Sequence, residues 1–306
     1  MRSFKELLEH IYNKNNIDFS KCQNLSLALN KFIKKEIVEQ TKEKSKFLNA
    51  IKKVPKVIID FKNRISLQVE SLKKQGYINI FESDLKLKTS SRLVIGLGSE
   101  HVLETSLTLH HIFGIPYIPS SALKGVVRMV SFWEIAQNLN KKIEKELEEF
   151  QEQLYDKEIS NNEHKEILKH KLLFGTQSFK GLLVFLDAYP LIQENQEIFE
   201  LDIMNVHYKS YYTQNGIPGD WESPTPITFL TVKEGVEFCF YVLFDEHRAN
   251  LLLGNEDFSQ NAKNVLKDLK QNNFYQLKND LIRWVEKALK EFGIGAKTRL
   301  GYGIFN

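Results

Sequence analysis

The sequence predicts an α+β fold, and three observations point to it. Up to about residue 88, apolar positions recur at helical spacing, with lysines and glutamates on the other faces. Near residue 90 the pattern changes to short runs of β-branched and aromatic residues that end at glycine or proline. Close to the C-terminus an amphipathic helical stretch returns. It feeds four glycines within eleven positions, Gly293 to Gly303, in a chain with only fifteen glycines.

The elements follow in order. Phe4, Leu7, Leu8 and Ile11 share one helical face. Leu25, Leu27, Leu29, Phe32, Ile33 and Ile37 continue the pattern, and Val57, Ile58, Phe61, Ile65, Val69 and Leu72 repeat it before a C-cap glycine, Gly76. Residues 1–88 therefore form a helical N-terminal region. Arg92 to Gly98 and Val102 to His110 carry strand character. Pro116 and Pro119 impose an extended crossing, after which Ser120 and Ser121 are candidate N-caps for a helix from Ala122 to about Ile135. Residues 139–171 are dense in charge and read as a solvated helical insertion. Leu182 to Asp187 is a buried strand, and residues 202–226 are loop-like. Ile227–Val232 and Val236–Phe244 are strands joined by a Lys233-Glu234-Gly235 turn. One or two helices span Val265 to Leu289, and an edge strand, Leu300 to Phe305, closes the chain. Without the insertion, residues 89–306 approximate the split βαβ, ferredoxin-like plan shared with RNA-recognition (RRM-like) domains.

Composition narrows the function classes. The chain has 306 residues, 42% hydrophobic and 26% charged, as in ordinary globular proteins. A net charge of +3 means that nucleic-acid contact must come from local patches. Cys22 and Cys239 are the only cysteines and imply neither a disulfide framework nor a metal site. The N-terminus lacks a signal-peptide core and no apolar run reaches membrane-spanning length, so a cytoplasmic location without membrane contact is expected.

The glycine-rich end carries the most chemistry. Gly293, Gly295 and Gly301, with Lys297, Thr298 and Arg299 between them, can form a concave cradle of amides and cations for phosphate. It is not a nucleotide-binding P-loop: Ala296 precedes the lysine, a helix rather than a strand leads in, and no helix follows. No nucleotide or other cofactor is expected. A second anion site is expected where the Ser120 helix begins, with Lys124 and Arg128 four apart on one face.

The segment Ile115 to Arg128, with its Pro-Tyr-Ile-Pro-Ser-Ser-Ala-Leu-Lys-Gly run, resembles the motif opening the first helix of RAMP proteins of CRISPR systems. Gly293 to Gly303 resembles the C-terminal glycine-rich loop of the same superfamily. Gly96-Leu97-Gly98, Leu109 to Gly114 and Pro218 to Ile227 are similar to a subunit of the type III-B, or Cmr, effector complexes. This resemblance covers about residues 90–306. It implies a non-catalytic RNA-binding subunit of an antiviral ribonucleoprotein, holding the guide RNA near its 3′ part. Its partners would be guide RNA, target RNA and neighbouring RAMP subunits, with target cleavage credited to another subunit.

Two alternatives stay open. His101, His110 and His111 cluster in sequence, and some related RAMP ribonucleases use histidine, so a metal-independent endoribonuclease using His110 or His111 is one. The other is a protein-interaction module in which the glycine loop packs on a neighbour. His207-Tyr208 and Tyr211-Tyr212 could stack on bases or anchor a loop. Asp187, Asp202, Asp220 and Glu222 lack metal-site spacing, and no catalytic or metal-binding residue is assigned.

Overall fold

The computed structural model describes residues 4–13, 16–19, 22, 24–52, 61–81, 85–155, 158–160, 162–193, 196–213, 216–271 and 274–306. Val57 and Ile58 of the predicted helical face lie outside them. Helices α1 (Phe4–Ile11), α2 (Leu25–Lys31), α3 (Lys35–Glu39), α4 (Thr41–Lys52) and α5 (Phe61–Lys74) come first, with a small ladder of β1 (Tyr12–Asn13) and β2 (Asn16–Ile17). Then follow β3 (Tyr77–Asn79), β4 (Leu85–Lys88), α6 (Ser120–Asn138), α7 (Glu144–Tyr155), α8 (Lys165–Phe174), β5 (Leu183–Phe185) and β6 (Tyr189–Pro190). The chain continues through β7 (Phe199–Val206), α9 (Lys209–Tyr212), β8 (Thr225–Val232), β9 (Glu237–Phe240), β10 (Val242–Asp245), α10 (Glu246–Gly254), α11 (Gln260–Gln271) and α12 (Phe274–Lys287). A π-helical turn, Ala288–Phe292, and a 3-10 turn, Thr298–Leu300, precede the end.

Strand β10 lies antiparallel between β3 and β5, with Leu243 opposite Asn79 and Val184. Strand β9 continues the same line between β4 and β6, with Cys239 opposite Lys86 and Tyr189. The two ladders are successive halves of one sheet, interrupted at Tyr241. Beyond β4, Lys88 and Asn306 exchange two backbone hydrogen bonds of 3.1 and 2.9 Å, and Thr89 bridges Phe305. The order across the sheet is therefore C-terminal segment, β3/β4, β9/β10, β5/β6. The first and third lines are central, α6 follows the first and α12 the third, which is the ferredoxin-like arrangement.

Alternation along the central strand sends its side chains to two faces. Phe238, Phe240, Val242 and Phe244 join Leu123 and Val127 of α6 and Leu281 and Val285 of α12 in the main core. Cys239, Tyr241 and Leu243 face the other way and are covered by Ile65 and Val69 of α5. Leu25, Leu29, Phe47 and Ile51 of the N-terminal helices belong to the same main cluster as Leu93, Leu103 and Phe229. Lys44 of α4, itself buried, fastens them by donating to the Leu103 carbonyl at 2.5 Å and pairing with Glu104 at 2.8 Å.

Several expectations are corrected. The first strand line is made of β3 and β4, inside the region read as helical; β4, Leu85-Lys86-Leu87-Lys88, carries the period-2 signal with Leu87 buried. Arg92–Gly98 and Val102–His110 are not strands and make only single bridges at Leu93 and Leu109. Leu93, Val94, Ile95, Leu103 and Leu107 are buried from turns, while Val102 is exposed, and Gly96 at φ 76° reverses the chain. The Lys233–Gly235 turn does not close a hairpin. Strand β8 pairs along its whole length with β7, which begins before the stretch read as loop and runs through Val206. The final strand shrinks to the pairing at residues 304–306, because Thr298–Leu300 is a turn. In the 139–171 stretch both helices form, yet α8 is not simply solvated: Leu168, Leu172 and Leu173 lie in the main core.

Candidate nucleic-acid interface

The C-terminal loop is held by its own backbone. Ile294 donates to the Gly303 carbonyl at 3.0 Å, Ala296 to Val94 at 2.8 Å, and Gly303 to Arg92 at 2.8 Å. All four glycines adopt positive φ, between 71° and 96°. A Cβ at Gly303 would lie 1.9 Å from the Ile294 carbonyl oxygen, and one at Gly295 would lie 2.4 Å from that of Val94. Lys297 also takes a left-handed conformation, φ 61°, which turns the chain between the two halves of the loop. Among the described residues, the amides of Gly295, Thr298 and Arg299 find no backbone acceptor. Arg299 and Gly301 are exposed.

Helix α6 faces this loop. Ala122, Gly125, Val126 and Met129, spaced i, i+3, i+4, i+7, line a cleft of about 720 Å³ together with Glu291, Phe292, Gly293, Ile294, Gly295, Thr298 and Arg299. The start of the helix and the glycine loop thus come together. Gly125 has open space above it, which widens the floor at the middle of the stripe. The wall given by α6 is mainly apolar, and the polar and charged residues of the cleft are Thr298, Arg299 and Glu291, so a carboxylate stands in the same cleft as the cation.

The cationic residues of α6 are placed differently from the sequence expectation. Lys124 and Arg128 do lie on one face of α6, but it is turned away from the cleft. Arg128 stacks its guanidinium 3.8 Å from the Tyr155 ring and donates to the Gly175 carbonyl at 3.2 Å, tying α6 to α7 and to the end of α8. Burial, followed by the charge of Arg128, lowers the pKa of Lys124 below the usual lysine value. Ser120 and Ser121 are not N-caps: Pro119 holds that position and makes no side-chain cap of its own. The Ser120 amide donates instead to Asp187 Oδ1 at 2.6 Å, so a carboxylate of the chain already sits at the positive end of the helix.

Beneath the loop lies a polar network that the sequence reading missed. Tyr302 donates to Asp202, and Arg92 pairs with Asp202 at 3.0 Å and with Glu200 at 3.3 Å. Burial disfavours the ionised Asp202, but hydrogen bonds from Tyr302 and the Ile203 amide, with the charges of Arg92 and Lys297, outweigh it and lower its pKa. The Lys297 ammonium lies 5.5 Å from the centroid of Phe229. These contacts join the loop to β7 and β8. They draw Lys297 toward the hairpin, and Arg299 is the cation of the loop that lines the cleft.

The model of the RAMP superfamily matches residues 86–306, the span that holds the sheet, α6 and the glycine loop. The chain belongs to the RAMP superfamily. It is 37% identical over 252 residues to the CRISPR system Cmr subunit Cmr6 of Pyrococcus furiosus, covering 71% of this chain and 66% of that protein. It is 26% identical over 164 residues to the corresponding subunit of Saccharolobus solfataricus, covering 53% of this chain and 45% of that one. The chain therefore spans less than two thirds of the length of these relatives. A chain in the cryo-EM structure of the type III-B Cmr-beta complex bound to cognate target RNA shares the fold, with TM-score 0.52 and 22% identity over 87% of this chain and 74% of that one.

In this RAMP chain the sheet face that RRM-like domains leave open is closed by α5, so base stacking on the central strands is not available. The histidines are engaged locally. His110 accepts at Nδ1 from the amides of Ile112 and Phe113, both at 3.3 Å, which leaves its proton on Nε2. Burial, then the charges of His111 and Arg64, lower its pKa against an opposing pull from Asp187. His110 and His111 stack with ring centroids 5.3 Å apart. Both nitrogens of His101 are used, one by Asn30 and one by the Leu103 amide, each at 3.1 Å. Tyr208 donates to Asp220 at 2.9 Å and the Ser210 amide to Glu222 at 3.1 Å, so these acids hold the loop between β7 and β8. Among the described residues no group of three His, Cys, Asp or Glu side chains is arranged to hold a metal, and no helix is long and apolar enough to cross a membrane.

Proposed function

We propose that the chain is a non-catalytic, RNA-binding structural subunit of a type III-B CRISPR (Cmr) ribonucleoprotein. It lays the sugar-phosphate backbone of the guide RNA, near its 3′ part, along the cleft between α6 and the glycine loop. It contacts neighbouring RAMP subunits and meets target RNA through the guide. The observation that carries this reading is the shared cleft, which Arg299, Thr298 and the loop glycines line opposite α6, with loop amides that find no backbone acceptor among the described residues. Backbone amides and a guanidinium hold phosphates without reading bases, which leaves the guide free to pair. Likeness to Cmr6 proteins supports the assembly, and its RNA-bound structural relative supports the ligand.

The test is guide-RNA retention as a function of salt. Arg299→Ala should weaken binding across sequences and reduce the salt slope by about one. An unchanged slope, with loop crosslinks to protein and never to RNA, would replace this reading by the protein-docking one, which the apolar floor of Ala122, Val126 and Met129 favours. Catalysis is tested separately. Repeat or target RNA should stay intact with or without chelator; positioned cleavage lost in His110→Ala would establish the endoribonuclease instead. The neutral His110, with Nδ1 committed to two amides, is not poised as a general base.

A further inference from the structure

A second cleft, of about 230 Å³, opens where α5 leaves the sheet uncovered, beside the edge line β5/β6. Ile65 and Gln68 of α5 line one side, and Phe185, Leu186, Asp187 and Tyr189 the other. Its contents are unlike a phosphate site: the charged group is a carboxylate. Asp187 Oδ1 is held by the Ser120 amide, and among the described residues Oδ2 has no hydrogen-bond donor. The Gln68 amide is exposed and likewise makes no hydrogen bond among the described residues. The Tyr189 ring stacks on Tyr117 with centroids 5.8 Å apart and planes 20° apart, and His110 abuts both rings at 6.0 Å. This is a fixed aromatic wall beside a fixed acceptor and an adjustable amide.

We propose that this cleft binds one unstacked guanine base, stacked along Tyr189 with its N1–H and N2 amino group donated to Asp187. Guanine presents two adjacent donors on that edge, whereas adenine, cytosine and uracil each present one donor site. A carboxylate therefore favours guanine over the other three, and Gln68 can meet O6 with its NH2. The apolar floor of Ile65 and Leu186 and the aromatic wall accept the flat faces of the base. The site is separate from the α6–loop cleft and reads a base, where that cleft holds backbone. As for the source of the guanine, an RNA strand rests on the RNA-binding reading above; a free guanine nucleotide does not.

The test uses the full chain with 5′-GMP and 5′-AMP by calorimetry, and with (UUG)4, (UUA)4 and the inosine version (UUI)4 by fluorescence anisotropy. Guanine should bind about tenfold more tightly than adenine, with inosine intermediate because it lacks the N2 amino group. Asp187→Asn keeps an oxygen for the Ser120 amide and should abolish the preference, and Gln68→Ala, on an exposed helix face, should reduce it. Arg299→Ala should lower binding of all three RNAs and leave the preference intact. RNA binding without base preference, or a preference that survives Asp187→Asn, overturns the guanine site and leaves the RNA reading standing. GMP binding without RNA binding supports the site and overturns RNA as its source. Absence of binding to GMP and to every RNA overturns the site as well as the RNA reading.

Discussion

The Asp187 carboxylate receives the Ser120 amide at 2.6 Å, joining the break between β5 and β6 to the first turn of α6. A strand-edge acid thus does the work of an N-cap on a helix whose own cap residue, Pro119, has no suitable side chain. Asp187→Ala should therefore cost about 1 kcal/mol of stability, and Asp187→Asn markedly less, in urea unfolding. Equal costs for the two variants would show that the bond is not what holds the helix start.

Arg128 is a structural cation. Its guanidinium lies over Tyr155 and bonds Gly175, so Arg128→Ala should lower stability by about 1–3 kcal/mol. Arg128→Lys should recover little of this, since an ammonium lacks the planar stacking surface. RNA retention and its salt slope should be those of the parent chain, and a reduced slope would return Arg128 to the RNA interface.

Glycine demand differs within one loop. Gly301 has φ 86° with open space around it, so Gly301→Ala should cost about 1 kcal/mol from backbone strain alone. At Gly303 the added methyl would meet the Ile294 carbonyl, and the loop must move; the expected loss exceeds about 3 kcal/mol. Thermal unfolding of the two variants separates these cases, and similar melting temperatures would contradict them.

His170 is wholly buried, with Nδ1 3.0 Å from the Ser131 hydroxyl. Burial, with the nearby charges of Arg128 and Lys171, pushes its pKa down from 6.5 to about 3. The unfolded chain then binds the proton first as pH falls. Stability from this group is complete above about pH 6.5 and declines on acidification toward pH 3, by about 2 kcal/mol between pH 7 and pH 5. The imidazole resonances of the folded chain should not titrate over that interval. Titration near 6.5 would show that the ring is accessible to solvent in the native state.

Legibility varied by element. The helix after Ser120 and the one ending near Leu289 were readable because their apolar stripes follow the 3.6-residue period. The line of β3 and β4 was not, because Tyr77-Ile78-Asn79 is short and the Leu-Lys alternation of β4 continues a lysine-rich stretch. Arg92-Leu93-Val94-Ile95 read as a strand because burial alone selects the same residues. Of the candidate site, Gly293, Gly295, Thr298 and Arg299 line the cleft, whereas Ala122, Gly125, Val126 and Met129 on its other wall were not singled out as site residues, for lack of charge. Asp187 and Asp202 were seen only as scattered acids, since their partners Ser120, Arg92 and Tyr302 lie far away in sequence.

Local chemistry alone determined the α+β character, the two framework helices and the positive-φ loop, because side-chain period and glycine placement act over a few neighbouring residues. Tertiary structure decided which cations face the cleft and which anchor helices. Spacing of four places Lys124 and Arg128 on one face of a helix, but only the position of Tyr155 and Gly175 makes that face an inner one. Likewise, whether a helix start is open to an outside anion depends on a carboxylate brought there by the sheet, across a separation that no local pattern records.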